Sequence, residues 1–270
     1  MALDFGSAAI IISLIFSIGS AWGSYYYSDK IILSMNKARP ATKEENLKLV
    51  NILDSLMVSS GLEHRPALYV VEDSQPNAFA TGRDPKHAVI CVTTALLEKL
   101  DYYELEGVIA HEMSHIRNYD IRLSAIVTVM VGFVVMLSDM FSRALFWGGV
   151  RDDDDDSKGN AILMIIGLFF LILSPIFGKL MQLAVSRKRE FLADATAVEF
   201  TRNPDGLISA LQKLESDPNE LKTANNATSH MYMVNPFRKD AIGSKKKKTS
   251  SIWSTHPSTS DRIEALRNLS

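Results

Sequence analysis

The chain has 270 residues, with 29 basic and 31 acidic side chains and a formal net charge of −2. This near balance gives no indication of a nucleic-acid partner, and the length suits one large domain or two small ones. The single cysteine, Cys91, excludes an intramolecular disulfide. A metal site in this chain must therefore be built from His, Asp and Glu.

Three long apolar stretches predict membrane-spanning helices. The first runs from Phe5 to Trp22, about 18 residues, and lacks the basic start of a cleavable signal peptide, which favours a retained anchor. The others are residues 123–137 and 160–181. Basic residues follow the first and third stretches, so the positive-inside rule places both of those ends in the cytoplasm. The five aspartates at 152–156 are predicted to form a solvated loop on the other side, with weak cation binding as the alternative.

Helix and strand signals alternate in the rest of the chain. A capping box at residues 42–45 predicts a helix that ends at Gly61. Residues 67–71 and 88–93 are apolar or β-branched runs bounded by turn residues, so they are predicted strands. Residues 76–82 between them are rich in turn residues and predict a loop. The second predicted strand is also expected to offer an edge on which an extended peptide can pair.

A metal-binding pattern follows in the helix that Asp101 is predicted to cap, with Glu104 at the third position. His111 and His115 are four residues apart, so on a helix they share a face and can bind one metal ion together. Glu112 would lie at the edge of that ion, where its carboxylate can accept the proton of a bound water.

A catalytic zinc ion needs a third protein ligand. His230 and His256 are candidates, but both lie in loop-like sequence. Glu190 is preferred, because it shares a face with Asp194 on a predicted helix over residues 190–214 whose other face is apolar. One carboxylate would bind the metal while the other accepts an N–H from a ligating imidazole. Two predicted spans separate His115 from Glu190, and an even number returns the chain to the same side.

Five separate motifs together resemble the HtpX membrane metallopeptidases, and the similarity covers almost the whole chain. They are His111-Glu112-Met113-Ser114-His115, residues 186–194, residues 76–82, residues 233–236 and Ser254-Thr255-His256-Pro257 with Asp261-Arg262-Ile263. That family usually begins with two transmembrane helices, whereas only one is evident here. We therefore expect either a lost first helix or a truncated sequence.

The resemblance implies an α+β fold: a membrane-anchored, mainly helical, zincin-type domain of the gluzincin kind with a small sheet and about three transmembrane helices. It implies one zinc ion per chain, a catalytic base and a carboxylate behind the metal ligands. The implied residues are ligands His111, His115 and Glu190, base Glu112 and supporting Asp194, with Asn77, His256 and Arg262 as possible substrate or oxyanion contacts.

The predicted organisation is an anchor at 1–29, a cytoplasmic protease domain in two parts at 30–122 and 183–270, and a membrane hairpin at 123–182. The expected activity is hydrolysis of misfolded or damaged membrane proteins at the inner cell membrane, with the bilayer as a partner and no nucleic acid. The alternatives are a peptidase for prenylated peptides and an inert membrane scaffold. The presence of Glu112 favours an enzyme. The four lysines at 245–248 form either a solvated loop or a contact with anionic lipid.

Overall fold

A small sheet and a group of helices make up the part of the chain that the computed structural model describes, which is residues 22–44, 46–131, 186–223, 228–234 and 257–269. Residues 120–131 are also helical. This combination of helices with a small sheet confirms the predicted α+β class. The bounded elements are α1 Ser28–Met35, β1 Arg39–Pro40, α2 Leu47–Ser60, β2 Ala67–Val71, β3 Ala78–Thr81, β4 Val89–Thr93, α3 Thr94–Lys99, α4 Tyr102–Arg117, α5 Arg187–Thr201, α6 Pro204–Ser216 and α7 Thr259–Arg267.

The sheet has the strand order β1-β2-β4-β3. β4 pairs in parallel with β2 and antiparallel with β3, so that Cys91 lies between Tyr69 and Phe79. The prediction that β4 is an edge strand is therefore wrong. Residues 78–81, predicted to be a loop, form β3 instead and cover the outer side of β4, and the buried Phe79 ring holds them there.

Helix α4 lies at the centre of the main hydrophobic core. It packs against α2, α5 and α6, and its buried residues include Leu105, Val108 and Ile109. Gly107 allows a close crossing with α6, because a Cβ at this position would lie 2.9 Å from the backbone of Leu207. The helix that carries the metal-binding pattern is thus surrounded by packed elements on several sides.

Two predicted helix boundaries are wrong. α2 begins at Leu47 rather than just after Thr42, because the chain is still leaving the sheet at Ala41, whose N–H donates to the Leu68 carbonyl. The single helix predicted over residues 190–214 is two helices. Arg202 takes a left-handed conformation (φ 53°), and Asn203 then caps α6 by accepting the N–H of Gly206.

The predicted membrane spans fall largely outside the described residues. Residues 5–21, 132–137 and 160–181 are not among the described residues. Within the described ranges, no helix is both long and apolar enough to cross a bilayer. The three spans and the division into anchor, hairpin and two-part domain therefore stay predictions.

Candidate metal centre

The start of α4 confirms the predicted capping box. The Asp101 carboxylate accepts the N–H of Glu104 at 3.0 Å, and the Glu104 carboxylate accepts the N–H of Asp101 at 2.9 Å. Lys213 and Ser209 of α6 also donate to the Glu104 carboxylate, at 2.7 and 2.6 Å. The N-terminal turn of α4 is thus tied both to itself and to the helix beside it.

Side chains from two helices converge near the C-terminal end of α4. Potential ligand atoms of His111, His115 and Glu190 all lie within 4.8 Å of one another. The two Nε2 atoms are 3.2 Å apart, and the Glu190 oxygens lie 3.7 Å from His111 Nε2 and 3.6 Å from His115 Nε2. Neighbouring ligands of a tetrahedral zinc ion are about 3.3 Å apart, given Zn–N bonds of about 2.0–2.1 Å. The donor set and its spacing fit such an ion.

Carboxylates orient both imidazoles. His111 Nδ1 lies 2.9 Å from Asp194 Oδ1, and His115 Nδ1 lies 3.0 Å from Asp120 Oδ2. With each Nδ1–H donated to a carboxylate, both Nε2 lone pairs point to the common centre, the usual arrangement behind metal-bound histidines. Asp194 thus lies behind His111, while the buried Glu190 faces the Nε2 atoms of both histidines.

Asp120 is the orienting residue that the sequence reasoning missed. α4 ends at Arg117, and Tyr119 then adopts a left-handed backbone (φ 60°). This turn brings the Asp120 carboxylate back to His115. The available signal was a carboxylate five residues after the second histidine, but the sequence alone does not show that the chain turns sharply there.

Arg262 reaches the metal centre from α7. It is 2% exposed, and its guanidinium donates twice to Asp194, from Nη2 at 2.6 Å and from Nε at 2.8 Å. Its Nη1 also lies 3.8 Å from Glu190 Oε2. Burial by itself would raise the pKa of Asp194, but the guanidinium outweighs this effect and the pKa is lowered. Arg262 thus keeps the carboxylate behind His111 ionised.

Glu112 lies under the edge strand of the sheet. It is 2% exposed, and its carboxylate accepts the backbone N–H of Ala80 in β3. Burial raises the pKa of Glu112 to about 7, although the Ala80 N–H and the charges of His115 and Arg262 act in the opposite direction. Burial lowers the pKa of His115, but the hydrogen bond to Asp120 and the charge of Glu190 outweigh it, so the pKa rises to about 9.

The remaining predicted site residues lie elsewhere or outside the described ranges. Asn77 is fully buried, and its side chain bonds to both the N–H (3.3 Å) and the carbonyl (3.0 Å) of Val234. His230 is buried beside Thr128, at 3.4 Å. His256 falls outside the described ranges. Of the residues that can be described, His111, His115 and Glu190 alone form a metal-binding group of three or more.

A small cavity opens beside the ligands. It is lined by residues of β3, of the helix over 120–131, of the start of α5 and of the segment after Thr228, together with His115. The lining residues are Ala80, His115, Asp120, Ile121, Ser124, Arg189, Glu190 and Met231.

Two imidazoles and a carboxylate on one helix, with a second carboxylate supplied by another helix, form an arrangement typical of metallopeptidases. The comparison with known families agrees with this class. The chain belongs to peptidase family M48, whose profile matches residues 43–270.

The chain is also similar to three relatives that carry the name Protease HtpX homolog. The protein of Thermoanaerobacter pseudethanolicus is 41% identical over 98% of this chain and 86% of its own length. The protein of Tropheryma whipplei strain Twist is 43% identical over 98% and 87%, and that of Listeria monocytogenes serotype 4a is 43% identical over 90% and 80%.

Among solved structures, the crystal structure of S. mikatae Ste24p is similar to this chain. The TM-score is 0.53, with 19% identity over 95% of this chain. This chain spans 57% of the length of that protein. At this identity the likeness shows the fold alone.

Proposed function

We propose that this metallopeptidase is a zinc-dependent endopeptidase held at a membrane, with its catalytic part in the cytoplasm, and that it hydrolyses unfolded or damaged membrane proteins. The observation that carries the proposal is the convergence of both Nε2 atoms and the Glu190 carboxylate, with a carboxylate behind each imidazole. Two neutral nitrogens and one anionic oxygen form a ligand set that catalytic zinc uses with a fourth position open.

His111, His115 and Glu190 would hold the metal. When bound, zinc supplies Lewis acidity that polarises the scissile carbonyl and acidifies a water molecule. Glu112 takes the proton of the attacking water and then donates it to the leaving amine.

The substrate is proposed to lie along β3, the strand at the sheet edge above Glu112. Backbone pairing to an edge strand binds an extended peptide with little dependence on its side chains, which suits unfolded substrates. The outer side of β3 is already in use near its start, where Met233 N–H donates to the Ala78 carbonyl at 3.1 Å. The Ala80 N–H donates to Glu112, so a peptide that pairs with β3 at Ala80, beside the cavity, would have to replace that bond.

The described residues that flank the apolar stretches support attachment to a membrane. The Tyr25 ring, just after the first stretch, lies 5.9 Å from the guanidinium of Arg122, just before the second. Arg189, a few residues after the third stretch, lies 3.7 Å from Asp120. Three residues that flank the three stretches in the sequence, Tyr25, Arg122 and Arg189, thus lie close to one part of the fold.

The decisive experiment compares Glu112→Gln with the native chain. We expect the variant to bind zinc in a one-to-one ratio and to lose at least about 100-fold in cleavage of an unfolded protein, since proton transfer by a side chain contributes about 10²–10⁴-fold. Zinc content is measured by elemental analysis, and cleavage in detergent is followed with casein, with and without a chelator.

Two further variants accompany this test, one at the proposed third ligand and one as a surface control. Glu190→Gln is expected to lower zinc content, whereas Glu215→Gln, on the surface of α6, should leave both zinc and cleavage as they are. Cleavage that survives Glu112→Gln removes the proposed base. Cleavage restricted to lipid-modified peptides would instead indicate a peptidase for prenylated peptides.

A further inference from the structure

Exposed aromatic side chains gather where the chain leaves its first apolar stretch. Trp22, Tyr26 and Tyr27 are 62%, 45% and 57% exposed. The rings of Trp22 and Tyr26 stack at 5.5 Å, and Tyr25 meets Tyr26 edge-on at 5.8 Å. Tyr and Trp rings prefer the interface between hydrocarbon and water, where one part of the ring is apolar and the other is wet.

Cations lie on three of these rings. Lys30 Nζ is 5.4 Å from the centre of the Tyr27 ring. The Arg83 guanidinium is 5.3 Å from the Tyr26 ring, and its Nη1 donates to the Tyr26 carbonyl at 2.8 Å.

Arg122 covers the Tyr25 ring in the same way. Lys30 and Arg122 are exposed, and within the described ranges neither forms an ion pair with a carboxylate. Two of the three cations on these rings therefore have their charge available to a ligand.

Two more cations stand at the third junction. Arg187 and Lys188 begin α5, and both are exposed. The adjacent Arg189 is held against Asp120, so α5 begins beside the helix that carries Arg122. We call Lys30, Arg83, Arg122, Arg187 and Lys188 the basic collar.

Acidic groups offset the charge of the collar only in part. Asp84 lies 3.6 Å from Arg83 and 2.7 Å from His87, and Asp120 faces His115 and Arg189. Asp29, half-buried, precedes Lys30 in the chain. The exposed charge around the three junctions is therefore positive.

We propose that the basic collar binds the phosphates of anionic phospholipid headgroups and so holds the metal centre against the membrane surface. The inference rests on the membrane attachment proposed above and adds a lipid preference to it. The cations of the collar lie next to the ends of the apolar stretches or on the aromatic rings beside the first one, and their positive charge is complementary to that of anionic headgroups. Each cation near an anionic bilayer strengthens binding about fivefold.

The test uses the full chain in a neutral detergent, titrated with dioleoyl phosphatidylglycerol or dioleoyl phosphatidylcholine. Bound lipids are counted by native mass spectrometry. The collar variant is K30Q/R122Q/R187Q/K188Q, and the matched control is K43Q/R65Q/K222Q/R267Q. The control removes the same charge from four exposed cations that belong to none of the junctions. Inorganic phosphate alone forms a third arm.

We expect the native chain and the control to bind phosphatidylglycerol in preference to phosphatidylcholine. The collar variant should bind phosphatidylglycerol at least about tenfold more weakly, and R122Q alone about fivefold. Native-like binding by the collar variant overturns the proposal, as does equal affinity for both lipids. If inorganic phosphate displaces phosphatidylglycerol at a concentration equal to that of the lipid, the collar is a site for the free ion, and this result also overturns the proposal.

Cleavage of casein in detergent separates this proposal from the catalytic one. The collar variant should retain zinc and cleave casein at the native rate, which also shows that it is folded. A chain that prefers phosphatidylglycerol through the collar but cleaves nothing would contradict the peptidase mechanism and leave the lipid site in place.

Discussion

At the scale of single residues, the metal centre depends on how each imidazole is held. His111 and His115 are four residues apart on α4, so their shared face follows from helix geometry. Their ring orientation does not follow from it. Asp194 and Asp120 fix which nitrogen of each ring carries the proton, and each reaches its histidine from a different element. Ligand spacing is thus a property of the sequence, whereas ligand orientation is a property of the packing.

Replacing Asp120 tests this dependence. Asp120→Asn should lower zinc affinity about 10- to 100-fold, because a partner behind a metal-bound histidine typically contributes that much. The fold should be retained, since the amide oxygen of asparagine can still accept the Nδ1–H bond. Zinc affinity is measured by competition with a chromogenic chelator.

Asp54→Asn is the matched control, because Asp54 forms a surface ion pair with Arg65. It is expected to bind zinc as the native chain does. An Asp120 variant with unchanged zinc affinity would show that the His115 ring is held by packing alone.

At the scale of elements, the metal centre is built at a crossing of closely packed helices. α4 contacts α5 and α6, and Glu190 and Asp194 are carried to α4 on one face of α5. The close approach of α4 and α6 depends on Gly107, where the backbone of Leu207 occupies the space of a Cβ. The short distance between α4 and α6 therefore depends on the lack of a side chain at Gly107.

Gly107→Ala should push the two helices apart. The new Cβ meets backbone atoms at 2.9 Å, so the helices rather than a flexible side chain must move. We expect a loss of stability of about 1–3 kcal/mol, typical of an overpacked core. The thermal midpoint of the detergent-solubilised chain measures it.

Gly23→Ala is the matched control, because no atom in the described part of the chain lies within 4 Å of the added Cβ. Its thermal midpoint should stay close to that of the native chain. Equal midpoints for the two variants would show that the α4–α6 crossing adjusts without cost.

At the scale of the whole molecule, the last described helix completes a site that begins 151 residues earlier along the chain. Arg262 of α7 is buried against Asp194, with its Nη2 3.3 Å from His111 Nδ1. The guanidinium balances the carboxylates that cluster behind and beside the metal position. The packing of α7 therefore also determines the charge around the metal centre, because α7 carries Arg262 to Asp194.

Arg262→Met should leave the buried Asp194 carboxylate without its cation. Breaking a buried ion pair from one side costs about 3–5 kcal/mol. We expect that loss in urea unfolding of the metal-free chain, together with weaker zinc binding. The double variant D194N/R262M should recover part of the stability but not the zinc affinity, because His111 still lacks its carboxylate.

Arg65→Met, which breaks an exposed pair, serves as the comparison and should change stability by less than about 1 kcal/mol. A single Arg262 variant as stable as this control would show that α7 docks through its apolar contacts.

The sequence by itself determined the features that depend on local spacing. The capping box of α4, the shared face of His111 and His115, and the strand at 67–71 follow from periodicity and capping, which act within a few residues. The choice of Glu190 rested on its spacing from Asp194 and on the family resemblance, and the structure brings it to both histidines.

Tertiary structure decided the rest, because the determining contacts join residues far apart in the chain. β4 is not an edge strand, because the short run after Pro76-Asn77 pairs with its outer side, although those two turn-forming residues favour a loop there. Asp120 reaches His115 only because Tyr119 reverses the chain with a left-handed backbone. Arg262 faces Asp194 rather than solvent because α7 packs onto α5 and α6. Spacing along the chain selects the metal ligands, and long-range packing gives them their orientation and charge.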